Sequence, residues 1–244
     1  MKTNFILLIF CVVFTNCHSQ QNTVTKKVTS DTLYTFGKSS ADGIGKFYKG
    51  REISFVMGAE GSDWLERDTR NLEEDTKAAV DAIDVKPNAV IADIGAGTGY
   101  YSFLLAQKVP AGKVYAVDIQ DEMINMLAER KRQLKDSIVE VIKSSIKSPN
   151  LPDNSVDLAI MVDVYHELEY PQEMLQALKK ALKPTGKILL IEYRGEDPSV
   201  PIKPLHKTTV AQLNRELKSN GFSLAYTGDF LPVQHFLLYE KEKF

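Results

Sequence analysis

The feature of this sequence that most constrains its fold is a glycine-rich turn between two apolar segments. Residues 90–94 form a short apolar run that contains one acid, Asp93. Glycines then occupy every second position, at Gly95, Gly97 and Gly99, and an apolar helical pattern follows. The pattern predicts a buried strand, a tight turn and the start of a helix. Because glycine has no Cβ, the backbone of this turn can approach a ligand closely.

The spacing of the glycines indicates which ligand the turn accepts. Dinucleotide-binding folds use G-x-G-x-x-G, which places a pyrophosphate at the helix N-terminus. Here the third glycine, Gly99, comes one residue earlier and is followed by Tyr100. The negative charge of Asp93 would repel a pyrophosphate but attract a cationic amino group. The turn therefore favours a ligand that carries an amino group.

A second acid, Asp118, lies at the end of the next apolar run, residues 114–119. A carboxylate at a strand end can accept hydrogen bonds from both hydroxyls of a ribose. Asp118 follows the glycine turn by about 20 residues, which is the separation found in a nucleoside-binding βαβ unit. Nicotinamide cofactors use the same acid. Asp118 by itself therefore predicts nucleoside binding and no more.

Together the two segments resemble the cofactor motifs of class I S-adenosylmethionine-dependent methyltransferases. The resemblance implies S-adenosylmethionine as the cofactor. In related enzymes an acid after the third strand often meets the adenine amino group, and in this sequence a serine and an isoleucine stand there instead. The cofactor-binding residues that the resemblance implies are Asp93, Gly95, Ala96, Gly97 and Gly99 at the methionine moiety, Asp118 and Ile119 at the ribose, Ser145 and Ile146 at the adenine, and Asp163.

Beyond the glycine turn, strand-like and helix-like segments alternate, which predicts an α/β fold with a doubly wound, mostly parallel sheet of seven strands. The end of the chain breaks this alternation. The strand-like runs 222–227 and 235–240 are separated only by residues 228–234, which are too few for a helical crossover. The two runs must therefore pair antiparallel. A parallel sheet that is finished by one antiparallel last strand is the arrangement found in class I methyltransferases.

The predicted methyltransferase domain covers residues 71–244, and residues 31–70 form an N-terminal cap segment. In this family, an aromatic and arginine-rich cap often closes over the substrate side. The alternative is that Trp64 and Tyr48 simply cover an apolar face while the arginines are solvated. Side chains from Leu72 to Ile83 share one helical face, so a single helix is predicted there.

The first 20 residues have the pattern of an export signal. A basic residue, an apolar run at 5–14 and a short exit that ends at Cys17 follow one another. The run is too short for a membrane span, which needs about 20 apolar residues. Cys17 resembles the lipid-attachment cysteine of bacterial lipoproteins, although Phe14 and Asn16 depart from the usual pattern. Simple secretion and a misassigned start are the alternatives, and residues 21–30 are predicted to be a tether.

Charge and cysteine content exclude several classes of function. The formal net charge of −2 argues against nucleic acid as the main partner, since such proteins normally present a strongly basic face. The two cysteines, Cys11 and Cys17, both lie in the predicted signal, so the folded body is expected to have no disulfide and no cysteine metal site. The sequence also lacks the G-x-x-x-x-G-K-[ST] motif of phosphate-binding loops.

The segment after the fourth strand, residues 161–171, resembles the substrate-side loop of small-molecule methyltransferases, and it makes Asp163 and His166 the candidate catalytic residues. Methyl transfer depends mainly on positioning, but an oxygen or nitrogen acceptor must still lose a proton. The ordinary pKa of His166 suits a general base, oriented by Glu167 or Tyr165. The alternative is that His166 only hydrogen-bonds a neighbouring loop.

No metal site is predicted in this loop. His166 and Glu167 are the first two residues of H-E-x-x-H, but Tyr170 stands where the second histidine is required. After the fifth strand, Lys203 and His206 lie on the same side of the predicted sheet. Their positive charges would either bind an anionic acceptor or belong to a solvated loop.

The sequence therefore predicts an exported, lipid-anchored methyltransferase that acts on a small molecule and contacts the membrane only through a lipid on Cys17. A non-catalytic protein that binds S-adenosylmethionine or a nucleoside is the first alternative. The export signal favours it, because S-adenosylmethionine is made in the cytoplasm. A nicotinamide-dependent oxidoreductase is the second alternative, and Tyr100 and the reversed last strand argue against it.

Overall fold

The computed structural model describes residues 33–242; the predicted signal, the tether at 21–30 and Cys17 lie outside them. The strands are β1 Tyr34–Phe36, β2 Gly43–Tyr48, β3 Arg51–Ser54, β4 Val90–Ile94, β5 Lys113–Asp118, β6 Val139–Lys143, β7 Val156–Val162, β8 Leu182–Tyr193, β9 Phe222–Gly228 and β10 Gln234–Lys241. The helices are α1 Ser62–Leu65, α2 Arg70–Glu74, α3 Thr76–Asp81, α4 Tyr100–Lys108, α5 Asp121–Leu134, α6 Pro171–Ala181 and α7 Val210–Lys218. Short 3₁₀ helices cover Ala59–Gly61, Tyr165–Glu167 and Pro204–His206.

The main sheet has seven strands in the order β6-β5-β4-β7-β8-β10-β9. Strands β4 to β8 pair in parallel, whereas β10 is antiparallel to both of its neighbours. The predicted fold class is confirmed, including the reversed last strand. Within the described residues, no helix has the length and apolar character that crossing a bilayer requires.

Helices cover the main sheet on both faces. Consecutive residues of β4 alternate between the two sides: Ile91 packs in the cluster that contains Leu105 and Leu127, and Ala92 packs in the cluster that contains Leu175. Because both faces are buried, the strands are apolar almost throughout instead of alternating with polar residues. The ligand-accessible part of the sheet is therefore confined to the ends of its strands.

The predicted single helix from Leu72 to Ile83 is wrong. Asp75, with φ of 51°, ends α2 and caps α3 by accepting a hydrogen bond from the Ala78 amide. Leu72 is 85% exposed, whereas Glu74 is fully buried. The physical reason is that α2 turns a polar face inward, where Glu74 contacts Arg70 of the same helix and the distant Tyr193.

Residues 34–54 of the predicted cap form a three-stranded antiparallel sheet in the order β1-β2-β3. Tyr48 is buried, as the simpler interpretation of the cap expects. The arginines, however, are not all solvated. Arg51 pairs with the buried Glu216 of α7, with Nε 2.8 Å from Oε1, and Arg70 is also buried.

Candidate functional site

A cavity of about 560 Å³ opens at the carboxyl ends of β4, β5 and β7, where open α/β sheets bind their ligands. The volume suits a small organic molecule. The loop between β1 and β2 and the segment after β3, including Met57 and Trp64, complete its wall. The structure brings together in this wall the predicted residues Gly95, Gly97, Asp118, Ile119, Ser145, Ile146, Asp163 and His166.

The amides of the glycine turn are already engaged by the protein. The Gly95 amide donates to the Val117 carbonyl at 2.8 Å, and the Gly97 amide donates to Asp118 Oδ2 at 2.9 Å. Both glycines have positive φ, and a Cβ at Gly95 would lie 2.6 Å from Val164. The turn is thus not a cradle of free N–H groups for a pyrophosphate.

Asp118 lies at the end of β5, with its carboxylate in the cavity wall. Its two oxygens accept hydrogen bonds from the amides of Gly97 and Gln120, at 2.9 and 2.8 Å. Burial raises the pKa of this carboxyl group, and these amide bonds oppose that rise. Because a carboxylate has about four acceptor sites, Asp118 retains the capacity to accept ribose hydroxyls.

Three predicted cofactor residues, Asp93, Ala96 and Gly99, do not line the cavity. Asp93 lies behind the turn, where its Oδ2 accepts a hydrogen bond from Ser102 Oγ at 2.6 Å. Burial raises the pKa of Asp93 to about 6. A Cβ at Gly99 would lie 2.7 Å from Leu127. Asp93 thus holds α4 through Ser102, and direct contact of Asp93, Ala96 and Gly99 with the cofactor stays a prediction.

Asp163 supplies an unpaired acceptor to the wall. Its backbone is left-handed, with φ of 53°, and its Oδ2 accepts a hydrogen bond from Gln234 Nε2 at 2.7 Å. Its Oδ1 is buried and has no hydrogen-bond partner among the described residues. Burial raises the pKa of Asp163 well above its usual value, and the charges of Glu74 and Glu192 add to the effect. A cationic amino group of S-adenosylmethionine would satisfy this oxygen.

The wall near Ser145 and Ile146 is partly apolar. Ile119 and Met123 line the same region, and Ile146 is 44% exposed. Ser145 Oγ bonds weakly to the Ser148 carbonyl, at 3.4 Å. Apolar side chains of this kind suit contact with the faces of a base, so the residues present fit an adenosine at this end of the cavity.

His166 is buried in the wall and is held by a carboxylate. Its Nδ1 lies 2.6 Å from Glu192 Oε2, and Glu192 Oε1 accepts hydrogen bonds from the amides of Val164 and Tyr165. The orienting group is thus Glu192 of β8, not Glu167 or the Tyr165 side chain as predicted. The two side chains belong to the ends of adjacent parallel strands, which is why 26 residues of separation bring them into contact.

His206 approaches the other nitrogen of His166 from the loop after β8. Its Nδ1 is 3.1 Å from His166 Nε2 and 3.5 Å from Glu167 Oε1. Contact with Glu167 raises the pKa of His206, and the charge of Asp42 contributes. The H-E-x-x-H motif that the sequence lacks would place both histidines on one helix. His206 instead reaches His166 from a separate loop.

A buried ion pair in the wall was missed by the sequence analysis. Arg70 Nε lies 3.0 Å from Glu74 Oε2, and Tyr193 Oη donates to Glu74 Oε1 at 2.8 Å. Arg70 and Tyr193 both line the cavity. Arg70 and Glu74 have the i,i+4 spacing of a helical ion pair, and Tyr193 ends a predicted strand, but nothing in the sequence indicates that Tyr193 contacts Glu74.

Comparison with known proteins gives the same assignment as the fold. Residues 92–190, from β4 into β8, match the family described as a methyltransferase domain. The sequence is 28% identical over 151 residues to phosphoethanolamine N-methyltransferase 1 of Arabidopsis thaliana. The matched stretch covers 62% of this chain and 28% of that enzyme. It is 27% identical over 140 residues to a demethylmenaquinone methyltransferase of Chlamydia trachomatis, covering 56% of this chain and 60% of that enzyme.

Among solved structures, a SAM dependent methyltransferase from Aquifex aeolicus is similar with a TM-score of 0.71 and 26% identity. The similarity covers 75% of this chain and 98% of that one. This chain spans less than two thirds of the length of the curated relatives described above. Sheet order and comparisons together show that this chain has the fold of class I, S-adenosylmethionine-dependent methyltransferases, and its residues 92–190 match a methyltransferase domain.

Proposed function

We propose that this protein transfers a methyl group from S-adenosylmethionine to a small-molecule acceptor. The observation that carries the proposal is one cavity lined both by the carboxylate of Asp118, which has acceptor sites left for a ribose, and by His166, which Glu192 orients. When bound, S-adenosylmethionine supplies a methyl group on a positively charged sulfur, which an acceptor removes by in-line attack to leave a neutral thioether.

The cofactor end of the cavity is proposed to work by positioning. Asp118 accepts hydrogen bonds from ribose hydroxyls, and Gly95 and Gly97 let the backbone approach the methionine moiety. Asp163 Oδ1 pairs with the amino group, which relieves a buried acceptor that otherwise lacks a partner. Ser145 and Ile146 contact the adenine.

His166 is proposed to receive the acceptor's proton on Nε2. Glu192 is fully buried and acts only as an acceptor when ionised, so it holds the proton of His166 on Nδ1. The free electron pair of the ring is then on Nε2, at the side where His206 and the cavity lie. This is the arrangement that a general base requires.

The names of two relatives support the class of acceptor. Phosphoethanolamine and demethylmenaquinone, which appear in these names, are both small molecules. The wall near the histidines also mixes apolar side chains such as Phe55 and Leu168 with ionisable ones. A small acceptor with an apolar part and a polar end fits this lining.

Replacing His166 by Ala tests this function. We expect the variant to retain affinity for S-adenosylmethionine in a calorimetric titration while formation of S-adenosylhomocysteine from a panel of acceptors falls about 100-fold or more. His235→Ala is the control, because His235 also faces a carboxylate, Glu196, but lies outside the cavity wall. Binding without turnover by either the native protein or the variants would favour the non-catalytic binding protein.

We also propose, from the sequence pattern at residues 1–20, that the protein is exported and carries a lipid on Cys17. Metabolic labelling with a radioactive fatty acid tests the proposal. Label is expected on the native chain and on Cys11→Ser, and it should be lost in Cys17→Ser. Equal labelling of the two variants, or none in the native chain, would contradict lipid attachment at Cys17.

A further inference from the structure

The acceptor end of the cavity contains three metal-ligating groups that point at one another. His166 Nε2, His206 Nδ1 and Glu167 Oε1 are separated by 3.1, 3.5 and 3.8 Å. They come from two 3₁₀ helices that are about 40 residues apart in sequence, Tyr165–Glu167 and Pro204–His206. In the described part of the chain, this is the one group of histidine, cysteine and acidic side chains whose ligand atoms converge in this way.

The separations match those of a metal's coordination shell. Bonds from Zn²⁺ to imidazole nitrogen and carboxylate oxygen are about 2.1 Å, so two ligands at a tetrahedral angle lie about 3.4 Å apart. The three observed separations lie within a few tenths of an ångström of that value. Without an ion, a proton on one of the two ring nitrogens must mediate their contact at 3.1 Å.

A carboxylate lies beside the outer nitrogen of each histidine. His166 Nδ1 hydrogen-bonds Glu192 at 2.6 Å, and His206 Nε2 lies 3.2 Å from Asp42 Oδ2. Metal-bound histidines almost always present their second ring nitrogen to a carboxylate or carbonyl, which sets the tautomer and strengthens the metal bond. Both rings have a carboxylate in that place, and their inner nitrogens point at each other inside the cluster.

The third ligand is also positioned by the protein. Glu167 Oε1 accepts a hydrogen bond from the amide of Met57, which belongs to the segment that follows β3. All three ligands line the cavity, so a bound ion would have an open side toward it. An open position beside three protein ligands is typical of catalytic zinc sites, whereas structural sites are closed.

We propose that His166, Glu167 and His206 bind a divalent transition-metal ion, with zinc as the first candidate. Two imidazoles and one carboxylate form a ligand set that zinc and other first-row divalent ions accept. The site goes beyond the proposed methyl transfer and does not require it. If both hold, His166 Nε2 would be a metal ligand and would not act as the base. The metal-facing position would instead take an acceptor hydroxyl or thiol, because coordination lowers the pKa of that group and lets its proton leave to solvent.

The test is a zinc titration of the full-length protein after treatment with a chelator. One equivalent of Zn²⁺ is expected to bind, and one equivalent of Co²⁺ should give the visible absorption of a cobalt ion with nitrogen and oxygen ligands. His206→Ala should weaken zinc binding by more than about 100-fold, and Glu192→Gln should weaken it by about 10 to 100-fold. His235→Ala should have no effect, since His235 pairs with Glu196 away from the cluster.

His206 is partly accessible on the loop after β8, so the His206→Ala variant is expected to remain folded. Circular dichroism checks the folding of each variant. No stoichiometric zinc or cobalt binding by the native protein would overturn the proposal, as would equal affinities of His206→Ala and His235→Ala. A proton shared between the two rings would then explain their contact. Since no S-adenosylmethionine is present in this titration, failure of the metal site and failure of methyl transfer are separate results.

Discussion

The two ends of the cavity are built from different kinds of sequence. The cofactor end comes from short stretches at the ends of three successive strands, at residues 94–97, 118–120 and 144–146. The acceptor end combines the loop before β2, the segment after β3, the loop after β7, the end of β8 and a loop 40 residues beyond His166. A motif search can find the first kind of site, whereas the second exists only after folding.

The ends also differ in how their carboxylates are satisfied. At the cofactor end, Asp118 is held by backbone amides, which leave it available to neutral hydroxyl groups. At the acceptor end, Glu192 and Asp42 face imidazole rings. The first arrangement favours recognition of a nucleoside, and the second favours control of a proton or a metal ion.

The largest expected effect separates the two ends directly. Asp118→Ala should weaken binding of S-adenosylmethionine by at least about 100-fold, since two hydrogen bonds to a charged group contribute about 1.5 kcal/mol or more each. Zinc binding should be unchanged. Asp121→Ala is the matched control, because Asp121 is exposed and pairs only with Lys143 in the described structure. Equal affinities of the two variants would contradict the role of Asp118.

Glu192→Gln is the reciprocal change. The glutamine retains an oxygen for the amides of Val164 and Tyr165, but it presents an NH₂ group to His166 Nδ1 and reverses the tautomer. Turnover should fall about 100-fold while affinity for S-adenosylmethionine changes little. Parallel loss of both quantities would show that the two ends are not separable.

Asp93→Asn tests whether Asp93 supports the turn from behind. Its pKa of about 6 lies above the ordinary value of about 3.9, so the folded state binds this proton more tightly than the unfolded state. This contribution to stability is present at low pH and is lost as pH rises from about 4 to 6, a cost of about 3 kcal/mol. The asparagine keeps an acceptor for Ser102 and removes that pH dependence.

Chemical denaturation across this pH range measures the effect. The Asp93→Asn variant should be more stable than the native protein at pH 7 and should keep its affinity for S-adenosylmethionine. Asp153→Asn, an exposed change, is the control. A large loss of cofactor affinity in Asp93→Asn would instead support direct contact between Asp93 and the cofactor, as predicted from the sequence.

The smallest effect is expected at a position outside both ends. Thr209 follows the loop that carries His206 and caps α7 by accepting a hydrogen bond from the Gln212 amide at 3.2 Å. Thr209→Ala should lower the free energy of unfolding by about 1 kcal/mol. Turnover by the folded protein should be unaffected, whereas the exposed change Thr185→Ala should alter neither quantity.

The comparison also explains how much the sequence could predict. The alternation of strands and helices and the reversed last strand follow from local periodicity and turn lengths, and both agree with the structure. The prediction of one helix across Asp75 is wrong, because burial of Glu74 against Arg70 and Tyr193 overrides the apolar pattern of that helix. The contact of Glu74 with Tyr193, 119 residues away, leaves no periodic signal.

The same limit applies to the site residues. Gly95, Gly97 and Asp118 could be predicted to share one site because the glycine turn and the acid each follow a recognisable strand, and all three line the cavity. The contact of Asp93 with Ser102 requires knowledge of the helix that follows the turn. The partners of His166 lie 26 and 40 residues away, and only the pairing of β7 with β8 and the path of the next loop bring them together.

The measurement that tests the account most directly is a calorimetric titration of the native protein with S-adenosylmethionine, with NAD as the comparison ligand. The engaged amides of the turn and the unpaired Asp163 Oδ1 predict micromolar binding of S-adenosylmethionine and none of NAD. Binding of NAD without S-adenosylmethionine would contradict the assignment of the cavity, and silence with both would contradict its use as a cofactor site.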